Sequence, residues 1–504
     1  MLNPSMVNAL FIASEADPLI KVGGLGDVAG SLPRALKMVG SYSDIGPAPL
    51  DVRLVIPFHP AIDSDLYASQ QVADFIVHGA RGGIHASAFF IEVDGLPTYL
   101  ISGQPVAEET GIYSADLEAD SFKYVFFSLA ALELARVLGW KPDILHANDW
   151  HTSPAVYALA LNRPFDPFFK QTSSILTIHN LPYLGAMTGP ALQAFDLPPA
   201  QTTRLPAWAW HMALPLGLLT ADRIVAVSPG YAKEIITEEF GSGLHYFLRA
   251  NAGKITGILN GLDTLKWDPA TDRELASTFS STNLPARATN KSFLQGELGL
   301  DVNPSIPLIA MVTRMDPQKG VDLAVEALRA LLEQTAAGLP AFQAIFLGTG
   351  NPVLEQLVHL LEIDFPGQIR AQIAYNERLS RHIYAGADLL LMPSRYEPCG
   401  LSQMIAMHYG CIPIAHATGG LSDTILDPAD TQQSTGFLFK PAVAAALVEA
   451  IQRALIIYLH DPAAWQATQI RGMQQDFSWD RSATEYLKLY KSLLDRRISD
   501  GKYV

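Results

Sequence analysis

The sequence predicts an α/β fold built from two doubly wound domains. Its 504 residues are more than a single hydrophobic core normally organises, so two domains are expected. Short apolar segments bounded by turn residues alternate with segments of helical periodicity, a pattern typical of βαβ units around a parallel sheet. The alternation runs through the first half of the chain and starts again after residues 250–265.

The first half opens with a predicted strand at Val7–Ala13 and a predicted helix at Asp27–Val39. The turn-rich stretch Ser41–Pro49 that follows is expected to be an exposed loop. The other predicted elements of this half are the strands Val52–Pro57, Ile144–Ala147, Ser174–Ile178 and Arg223–Val227 and the helix Ser121–Leu138.

The second half begins with a predicted strand at Ile306–Thr313 and a predicted helix at Gly320–Glu333. Further strands are predicted at Ala344–Gly348, Ile369–Ile373, Ala387–Pro393 and Ile412–Ala415. We therefore expect Rossmann-like domains at residues 1–256 and 257–480 that face each other across a cleft. Ligands of doubly wound folds bind at the carboxyl ends of the strands, so the site residues are expected there.

The composition excludes several classes of protein. A net charge of −15 argues against general nucleic-acid binding, because no basic excess is available to release phosphate counterions. No unbroken apolar run of about 18 residues occurs, so no membrane span is expected. The two cysteines, Cys399 and Cys411, exclude a disulfide framework and lack the neighbours of a zinc site. Together with an N-terminus that lacks the signal-peptide pattern, this predicts a cytoplasmic location.

A glycine-rich turn joins the first predicted strand to its helix. Backbone N–H groups near Gly24 and the start of the helix suit an anion, and Lys21 adds a full positive charge. Gly24, Gly26 and Gly30 also form a GxGxxxG pattern, which leaves a nicotinamide dinucleotide site as an alternative. The second strand lacks an acid at its tip to hold a ribose. A tight turn without a ligand is the third interpretation.

Polar residues also end two later strands. In the segment HANDWH at 146–151, Asp149 suits hydrogen bonds from sugar hydroxyls. A metal site built from His146, His151 and Asp149 is an alternative, although the spacing fits neither an i,i+4 pair nor HExxH. The second alternative is that these residues form a polar strand end that binds no ligand. His179 follows the next strand, where structural and functional roles are both open.

The strongest chemical signal lies after the first strand of the second half. Arg314 can bind a diphosphate with two parallel hydrogen bonds, and Lys319 supplies a second point charge. Two fixed cations can stabilise a departing diphosphate without a metal. A solvated basic loop is the alternative interpretation of this segment.

A Pro/Gly-rich elbow follows a later strand of the same half. Glu397 precedes residues 400–402, whose N–H groups open a helix and suit an anion. Thr418, Gly419 and Gly420 follow the next strand in the same way. Cys399 is interpreted as a small packing residue, with a reactive thiol as the alternative.

Together these segments resemble the bacterial glycogen synthase and plant starch synthase family, retaining glucosyltransferases of the GT-B type with two Rossmann-like domains. The matching motifs are KVGGLGDV at 21–28, HANDWH at 146–151, TIHN at 177–180, VSPGYAKEI at 227–235, ILNGLD at 258–263, TRMDPQKG at 313–320, SRYEPCGL at 394–401 and TGGLSDT at 418–424. The segment FSWDRSATEYLKLY at 477–490 resembles the end of the family sequence. It implies a final helix at 481–504 that packs back on the first domain.

The resemblance implies transfer of glucose from ADP-glucose to the non-reducing end of an α-1,4-glucan, with retention and with neither cofactor nor metal. Arg314, Lys319 and Lys21 would then hold the diphosphate. Further implied residues are Tyr375 against the adenine; Glu397, Cys399, Gly400 and Leu401 around the glucose; Gly24, Thr418, Gly419 and Gly420 as binding residues; and Asp149 and His179 on the sugar side.

Departures from the family pattern keep alternatives open. Pro215, in the segment Met212–Pro215, stands where the family commonly has a lysine, and Leu181–Leu184 replaces the usual run after His-Asn. In the donor half, Ile405 and His408 stand where the family often has Tyr and Arg. A GT-B enzyme with another donor or a small acceptor, and a weakly catalytic glucan-binding homologue, are therefore alternatives, as is a nicotinamide oxidoreductase.

Overall fold

The computed structural model describes residues 6–42, 49–63, 65–80, 82–108, 111–335 and 341–500. The chain divides into two compact units. Unit 1 comprises Met1–Gly261 and Trp479–Val504, and unit 2 comprises Leu262–Ser478. The boundaries expected at 256/257 and 480/481 lie a few residues from these divisions.

Unit 1 is built on a nine-stranded sheet with the order β3-β4-β5-β2-β1-β6-β7-β8-β9. Its strands are β1 Val7–Ile12, β2 Leu50–Pro57, β3 Gln70–Gly79, β4 Gly82–Val93, β5 Leu96–Gly103, β6 Ile144–Asn148, β7 Ser173–Ile178, β8 Arg223–Ala226 and β9 Ile255–Gly257. All neighbours from β5 to β9 in this order pair in parallel, whereas β3–β4 and β4–β5 are antiparallel.

Helices cover the sheet of unit 1. They are α1 Gly24–Tyr42, α2 Gln104–Ala107, α3 Leu117–Val137, α4 Asp149–Asn162, α5 Gly189–Ala194, α6 Ala213–Thr220, α7 Pro229–Glu234 and α8 His245–Ala250. Short 3-10 turns lie at Ala207–Ala209 and Ala252–Lys254. The start of α3 illustrates the local chemistry, because the Asp116 carboxylate accepts from two N–H groups of its first turn.

Unit 2 has a six-stranded sheet with the order β12-β11-β10-β13-β14-β15, parallel throughout. Its strands are β10 Leu308–Val312, β11 Gln343–Gly348, β12 Ile369–Ile373, β13 Leu389–Met392, β14 Ile412–His416 and β15 Phe437–Phe439. Its helices are α9 Arg287–Glu297, α10 Val321–Thr335, α11 Pro352–Asp364, α12 Glu377–Gly386, α13 Ser402–His408, α14 Gly419–Thr424, α15 Ala444–His460 and α16 Pro462–Met473, with 3-10 turns at Leu284–Ala286 and Pro317–Lys319.

The last helix, α17 at Trp479–Asp500, belongs to unit 1. It packs on α1, and apolar residues along it join the buried core of that unit. Those residues are Trp479, Ala483, Tyr486, Leu487, Leu489, Tyr490 and Leu493. The core of unit 1 is therefore completed by the end of the chain.

The predicted α/β fold is confirmed, and several details are corrected. The strands β3, β4 and β5 form an antiparallel meander that the alternation of strands and helices did not predict. The first helix begins at Gly24, earlier than the expected Asp27, and the strand expected at Ala387–Pro393 is shorter, Leu389–Met392. Most of the predicted loop Ser41–Pro49 lies outside the described residues. None of the described helices combines the length and apolar character that crossing a membrane requires.

The order of each sheet predicts where its site lies. In unit 1 the chain leaves β1 toward β2 on one side and reaches β6 on the other. In unit 2 it leaves β10 toward β11 on one side and reaches β13 on the other. Such switch points leave a crevice at the carboxyl ends of the two central strands. The loops that follow β1, β6, β10 and β13 therefore border these crevices.

Candidate active site

The loop after β1 is held by a buried carboxylate. Glu15 is almost inaccessible and accepts hydrogen bonds from the N–H groups of Val22 and Gly23. The Tyr113 hydroxyl donates a third hydrogen bond to Glu15, at 3.2 Å. Burial raises the pKa of Glu15, while these hydrogen bonds oppose the rise. The carboxylate thus fixes the course of the chain that leads into α1.

The glycines of this turn serve two different purposes. A Cβ on Gly30 would lie 2.2 Å from the Asp17 carbonyl oxygen, so glycine there allows α1 to pack against the preceding loop. A Cβ on Gly24 would meet no atom within 4 Å, so protein packing does not explain the glycine. Lys21 forms an ion pair with Asp27 at 2.6 Å, with both side chains partly exposed.

Asp149 stands at the carboxyl end of β6 in a left-handed conformation, with φ of 54°. Its Oδ1 accepts hydrogen bonds from the backbone N–H of His179 at 2.7 Å and of Asn180 at 3.3 Å. Burial raises the pKa of Asp149 to about 7, and those two hydrogen bonds act in the opposite direction. The carboxyl therefore joins the tips of β6 and β7 and titrates near neutrality.

The His179 imidazole is fixed by its neighbour on β6. Its Nε2 lies 2.9 Å from the Asn148 amide oxygen, to which Nε2–H donates. The Asn148 amide nitrogen donates in turn to the Ile12 carbonyl at 2.9 Å, which ties β6 to β1. Burial lowers the pKa of His179 to about 3, so the ring is neutral at physiological pH.

His146 and His151 do not form a metal site with Asp149. Both ring nitrogens of His146 are occupied, by the Tyr490 hydroxyl at 2.9 Å and the Thr177 hydroxyl at 2.8 Å. His151 is buried beside Trp150, with ring centroids 4.2 Å apart. In the described ranges, no group of three or more His, Cys, Asp or Glu side chains has a metal-binding arrangement.

In unit 2, the loop after β10 is locked to the loop after β13. The Arg395 N–H donates to the Gln318 carbonyl at 2.8 Å, and the Gln318 side chain donates to the Tyr396 carbonyl at 3.1 Å. Gly320 has φ of 67°, and a Cβ there would lie 2.2 Å from the Pro393 carbonyl oxygen. Only glycine meets both conditions without strain. The two loops are thus held as one surface.

Lys319 and Glu397 meet on this surface. The Lys319 ammonium lies 2.9 Å from Oε1 and 2.6 Å from Oε2 of Glu397, and the Ser394 hydroxyl donates to Oε2 at 2.9 Å. These three side chains line a cavity of about 60 Å³, together with Thr313 and Gly400. The cavity opens at the switch point of the sheet, where a ligand is expected.

The elbow after Glu397 packs on the loop after β14. The Gly420 N–H donates to the Glu397 carbonyl at 3.1 Å, and a Cβ on Gly420 would lie 2.2 Å from the Cys399 carbonyl oxygen. Gly400 has φ of 75°, which lets the chain turn into α13. Thr418 and Cys399 are buried at this contact. The interpretation of Cys399 as a packing residue and its implied place beside the glucose both stay predictions.

Two predicted donor-side residues stand away from this cluster. Arg314 is exposed, and within the described parts of the chain its guanidinium forms no ion pair. Tyr375 lies between β12 and α12 and is 82% exposed. Neither lines the cavity at Lys319 and Glu397. Both are therefore open to a ligand larger than that cavity.

Comparison with known proteins identifies the family of this chain. Residues 8–250 match the starch synthase catalytic domain, and residues 300–465 match the glycosyl transferases of group 1. A glycogen synthase of Anaeromyxobacter sp. strain Fw109-5 is 39% identical over 490 residues, which cover 96% of this chain and 99% of the relative. The chain belongs to the glycogen and starch synthase family. Glycogen synthase 2 of Geobacter sulfurreducens is 36% identical over 502 residues, covering 97% of this chain and 100% of the relative.

Solved structures agree with this assignment. The catalytic domain of starch synthase IV from Arabidopsis thaliana, bound to ADP and acarbose, matches with a TM-score of 0.86 and 32% identity. The match covers 97% of this chain and 100% of that one. Sucrose-phosphate synthase from Thermosynechococcus elongatus shares the fold, with a TM-score of 0.60 at 19% identity. The predicted family, GT-B fold and glycosyltransferase class are confirmed.

The structure of this glycogen and starch synthase family member groups some predicted residues and adds others. It brings Lys319 and Glu397 together, with Gly400 and Leu401 beside them. Asp149 and His179 also meet, through the hydrogen bond between the carboxylate and the backbone. The roles proposed for all these residues stay predictions.

Sequence reasoning missed Glu15, Ser394 and Asn148. Each lies within a few residues of a predicted site residue and at or just beyond a strand end. An acid that follows β1 before a glycine turn was a usable signal for Glu15, because a buried carboxylate needs donors such as loop N–H groups. The role of Asn148 depends on contacts between strands, which spacing along the chain does not reveal.

Proposed function

We propose that this enzyme transfers glucose from ADP-glucose to the non-reducing end of an α-1,4-glucan, with retention of the anomeric configuration. The observation that carries the proposal is the cluster of Lys319, Ser394 and Glu397 around a cavity at the switch point of unit 2. A cation, a hydroxyl and a carboxylate there suit a phosphate next to a sugar. The Arabidopsis relative bound to ADP and acarbose supports the same ligand classes.

The donor chemistry follows from the charges. Lys319 and Arg314 would hold the diphosphate, with Lys21 as a third cation, and would stabilise the negative charge that develops as ADP departs. Tyr375 is exposed enough to stack on the adenine. Glu397 already accepts from Lys319 and Ser394, and its remaining lone pairs can accept from glucose hydroxyls. The N–H groups of Gly400 and Leu401 would complete the sugar contacts.

The transfer step is written as a front-face displacement. The bond between the anomeric carbon and the phosphate oxygen breaks through an oxocarbenium-like state, and the acceptor hydroxyl attacks the same face. The proton of that hydroxyl goes to the departing phosphate. In this proposal the protein positions the reactants and stabilises charge, and it supplies no nucleophile.

On the acceptor side, Asp149 and His179 are proposed to line the sugar site. Asp149 fixes the backbone of His179, and Asn148 fixes its ring, so the tip of β7 presents a defined surface. The neutral imidazole is a hydrogen-bonding group without charge, which suits a neutral sugar. We further propose that the reaction needs no cofactor and no metal, and that the enzyme acts in the cytoplasm.

A donor and acceptor assay tests the proposal. The full chain is incubated with radiolabelled ADP-glucose or UDP-glucose and with glycogen, maltotriose or a non-glucan sugar, with and without EDTA. We expect label from ADP-glucose in both α-glucans, undiminished by EDTA, and release of that label by an α-1,4-specific amylase.

Other outcomes replace particular parts of the proposal. Incorporation from UDP-glucose alone would change the donor, and incorporation only into a small non-glucan sugar would change the acceptor. Binding of ADP by calorimetry without any transfer would indicate a binding protein. Loss of transfer in EDTA, restored by a divalent cation, would refute the metal-free reaction.

A further inference from the structure

Aromatic side chains are exposed on the connections that follow β7 and β8. Tyr183 is 57% exposed, Trp208 is 46% exposed and Tyr246 is 76% exposed. Tyr183 and Trp208 lie between β7 and α6, and Tyr246 lies in α8 between β8 and β9. We call these three residues the aromatic track. Rings of this size are usually covered, so exposure of several on neighbouring connections points to a ligand.

The track begins next to the proposed acceptor site. The Tyr183 N–H donates to the Asn180 carbonyl at 3.2 Å, which turns the chain directly after His179. The same loop packs on the segment that contains Trp208. Two hydrogen bonds join them, from the Leu214 N–H to the Leu184 carbonyl at 3.1 Å and from the Thr188 hydroxyl to the His211 carbonyl at 3.2 Å.

The segment that contains Trp208 packs in turn on the segment that contains Tyr246. A Cβ on Gly243 would lie 3.0 Å from the indole of Trp208, so the backbone of Gly243 supports that ring. The Arg204 guanidinium donates to the Asn251 amide oxygen at 3.1 Å and forms a second link. The three exposed rings therefore lie on successive, mutually packed segments that start at the tip of β7.

The two outer rings are held in place before any ligand binds. Trp208 rests on Gly243, whose φ of 76° and close approach exclude a side chain. The ring of Tyr246 lies beside the ring of His245, with centroids 4.2 Å apart and planes at 43°. Supported rings lose little conformational entropy on binding, which favours affinity. Arg204 and Asn251, which join the segments that carry these rings, offer polar groups for hydroxyls.

We propose that the aromatic track binds a stretch of α-glucan chain outward from the catalytic residues. Glucose rings present C–H faces that pack on aromatic rings and rims of hydroxyls that hydrogen-bond to polar side chains. A neutral polymer also meets no repulsion from a chain with a net charge of −15. This proposal rests on the proposed function for the identity of the polymer. It predicts a preference for long acceptors that the site at Asp149 and His179 alone does not give.

The test compares long and short acceptors in the full chain. The double variant Trp208→Ala/Tyr246→Ala is run through native gels that contain glycogen, and its half-saturating glycogen concentration is measured. The matched control is Phe165→Ala, because Phe165 is 86% exposed and lies in the connection before β7, away from the track. Turnover of ADP-glucose with maltotriose is measured for all variants.

We expect the double variant to bind glycogen about fivefold or more weakly, as on loss of aromatic anchors from an interface. Phe165→Ala should match the wild type, and maltotriose turnover should be unchanged in both. Tyr246→Ala alone, in which only an exposed ring is lost, should also reduce the retardation. This single variant keeps the proposal testable if Trp208→Ala impairs folding.

Equal retardation of the wild type and the double variant in the glycogen gel would overturn the proposal. It would also be overturned if Phe165→Ala lost as much glycogen binding as the double variant. A wild type that glycogen does not retard would overturn it too. Retention of a peptide or protein in place of glycogen would assign the track to another partner. The gel contains no donor and measures glycogen binding alone. A failure of the proposed function would therefore be seen in the other assay, as absence of glucose transfer from ADP-glucose to maltotriose.

Discussion

Lys319 and Glu397 form an ion pair in which the ammonium contacts both carboxylate oxygens, at 2.9 and 2.6 Å. The side chains are 18% and 7% exposed, so water screens the pair weakly. It joins the loops after β10 and β13. A diphosphate that binds Lys319 would therefore share the ammonium with Glu397, and the pair fixes the position of the ammonium in the structure.

Removal of Lys319 should impair both folding and transfer. Lys319→Ala leaves the nearly buried Glu397 without its cation, and we expect a loss of roughly 3 kcal/mol in the free energy of unfolding. Transfer from ADP-glucose should fall by orders of magnitude. Chemical denaturation and initial rates measure the two effects.

The control for Lys319→Ala is Asp322→Asn, which breaks the more exposed pair between Asp322 and Arg395 in the same region. Its effect on unfolding should stay below about 1 kcal/mol. Similar losses in both variants would show that exposure does not distinguish the pairs. Normal transfer in Lys319→Ala would remove it from the phosphate site.

Arg314 should matter for transfer and hardly for stability. It is exposed, and in the part of the chain that the structure describes it forms no ion pair. Arg314→Ala should therefore unfold at the wild-type denaturant concentration, whereas kcat/KM for ADP-glucose falls by orders of magnitude. Arg314→Lys should recover only part of the loss, because an ammonium lacks the two-point geometry. A near-normal rate in Arg314→Ala would contradict the proposed grip on the diphosphate.

Gly24 and Gly30 offer a matched pair of substitutions in one helix. Gly30→Ala should destabilise the fold by about 2 kcal/mol, because its Cβ would overlap the Asp17 carbonyl. The Cβ that Gly24→Ala adds meets no atom within 4 Å. The free energy of unfolding of this variant should therefore stay within about 1 kcal/mol of the wild-type value. Its affinity for ADP should nevertheless fall roughly tenfold if the diphosphate approaches the backbone there. Calorimetric measurement of ADP binding tests this expectation. An unchanged affinity would show that Gly24 serves the turn and does not contact ADP.

The carboxyl of Asp149 predicts a stability difference that depends on pH. Its pKa rises on folding from 3.8 to about 7, because burial disfavours the charged form. The folded state therefore keeps a proton that the unfolded state loses, and its stabilising effect disappears as the pH rises toward 7. Relative to the wild type, Asp149→Asn should be more stable at about pH 8 than at about pH 5, by urea unfolding.

The matched control for Asp149→Asn is Asp166→Asn. The hydrogen bond from Arg136 lowers the pKa of Asp166 from its ordinary value of 3.8. The protonation of Asp166 therefore changes the free energy of unfolding only in acid, below the pH range of this test. The free energy of unfolding of Asp166→Asn should differ from that of the wild type by the same amount at both pH values. If the Asp149→Asn difference is constant as well, Asp149 does not titrate in this range.

Much of the fold and part of the site could be predicted from the sequence. Polar residues directly after buried strands marked Asp149 and His179, because the carboxyl ends of parallel strands converge. Lys319 was predicted from its charge in the loop that follows the first strand of the second half. The meander β3–β5 was not predicted, because an alternation of strands and helices does not reveal strands joined by hairpins. The turn Asp94-Gly95 was a local signal for one of these hairpins.

The contacts within the site were harder to predict. The pairing of Lys21 with Asp27 and of Lys319 with Glu397 depends on how loops meet in space. The first pair is separated by only a few residues, yet the segment was interpreted through its glycines. The second joins two loops that are far apart in sequence, and only the strand order brings β10 and β13 together.

The return of α17 to unit 1 bears on how the chain matures during synthesis. When residue 261 leaves the ribosome, the core of unit 1 still lacks Trp479, Tyr486 and Tyr490, and His146 has no Tyr490 hydroxyl beside it. The surface that α17 later covers stays open while all of unit 2 is translated. The first unit to begin folding is therefore the last to finish, and a truncated transcript or a premature stop near the end leaves it incomplete.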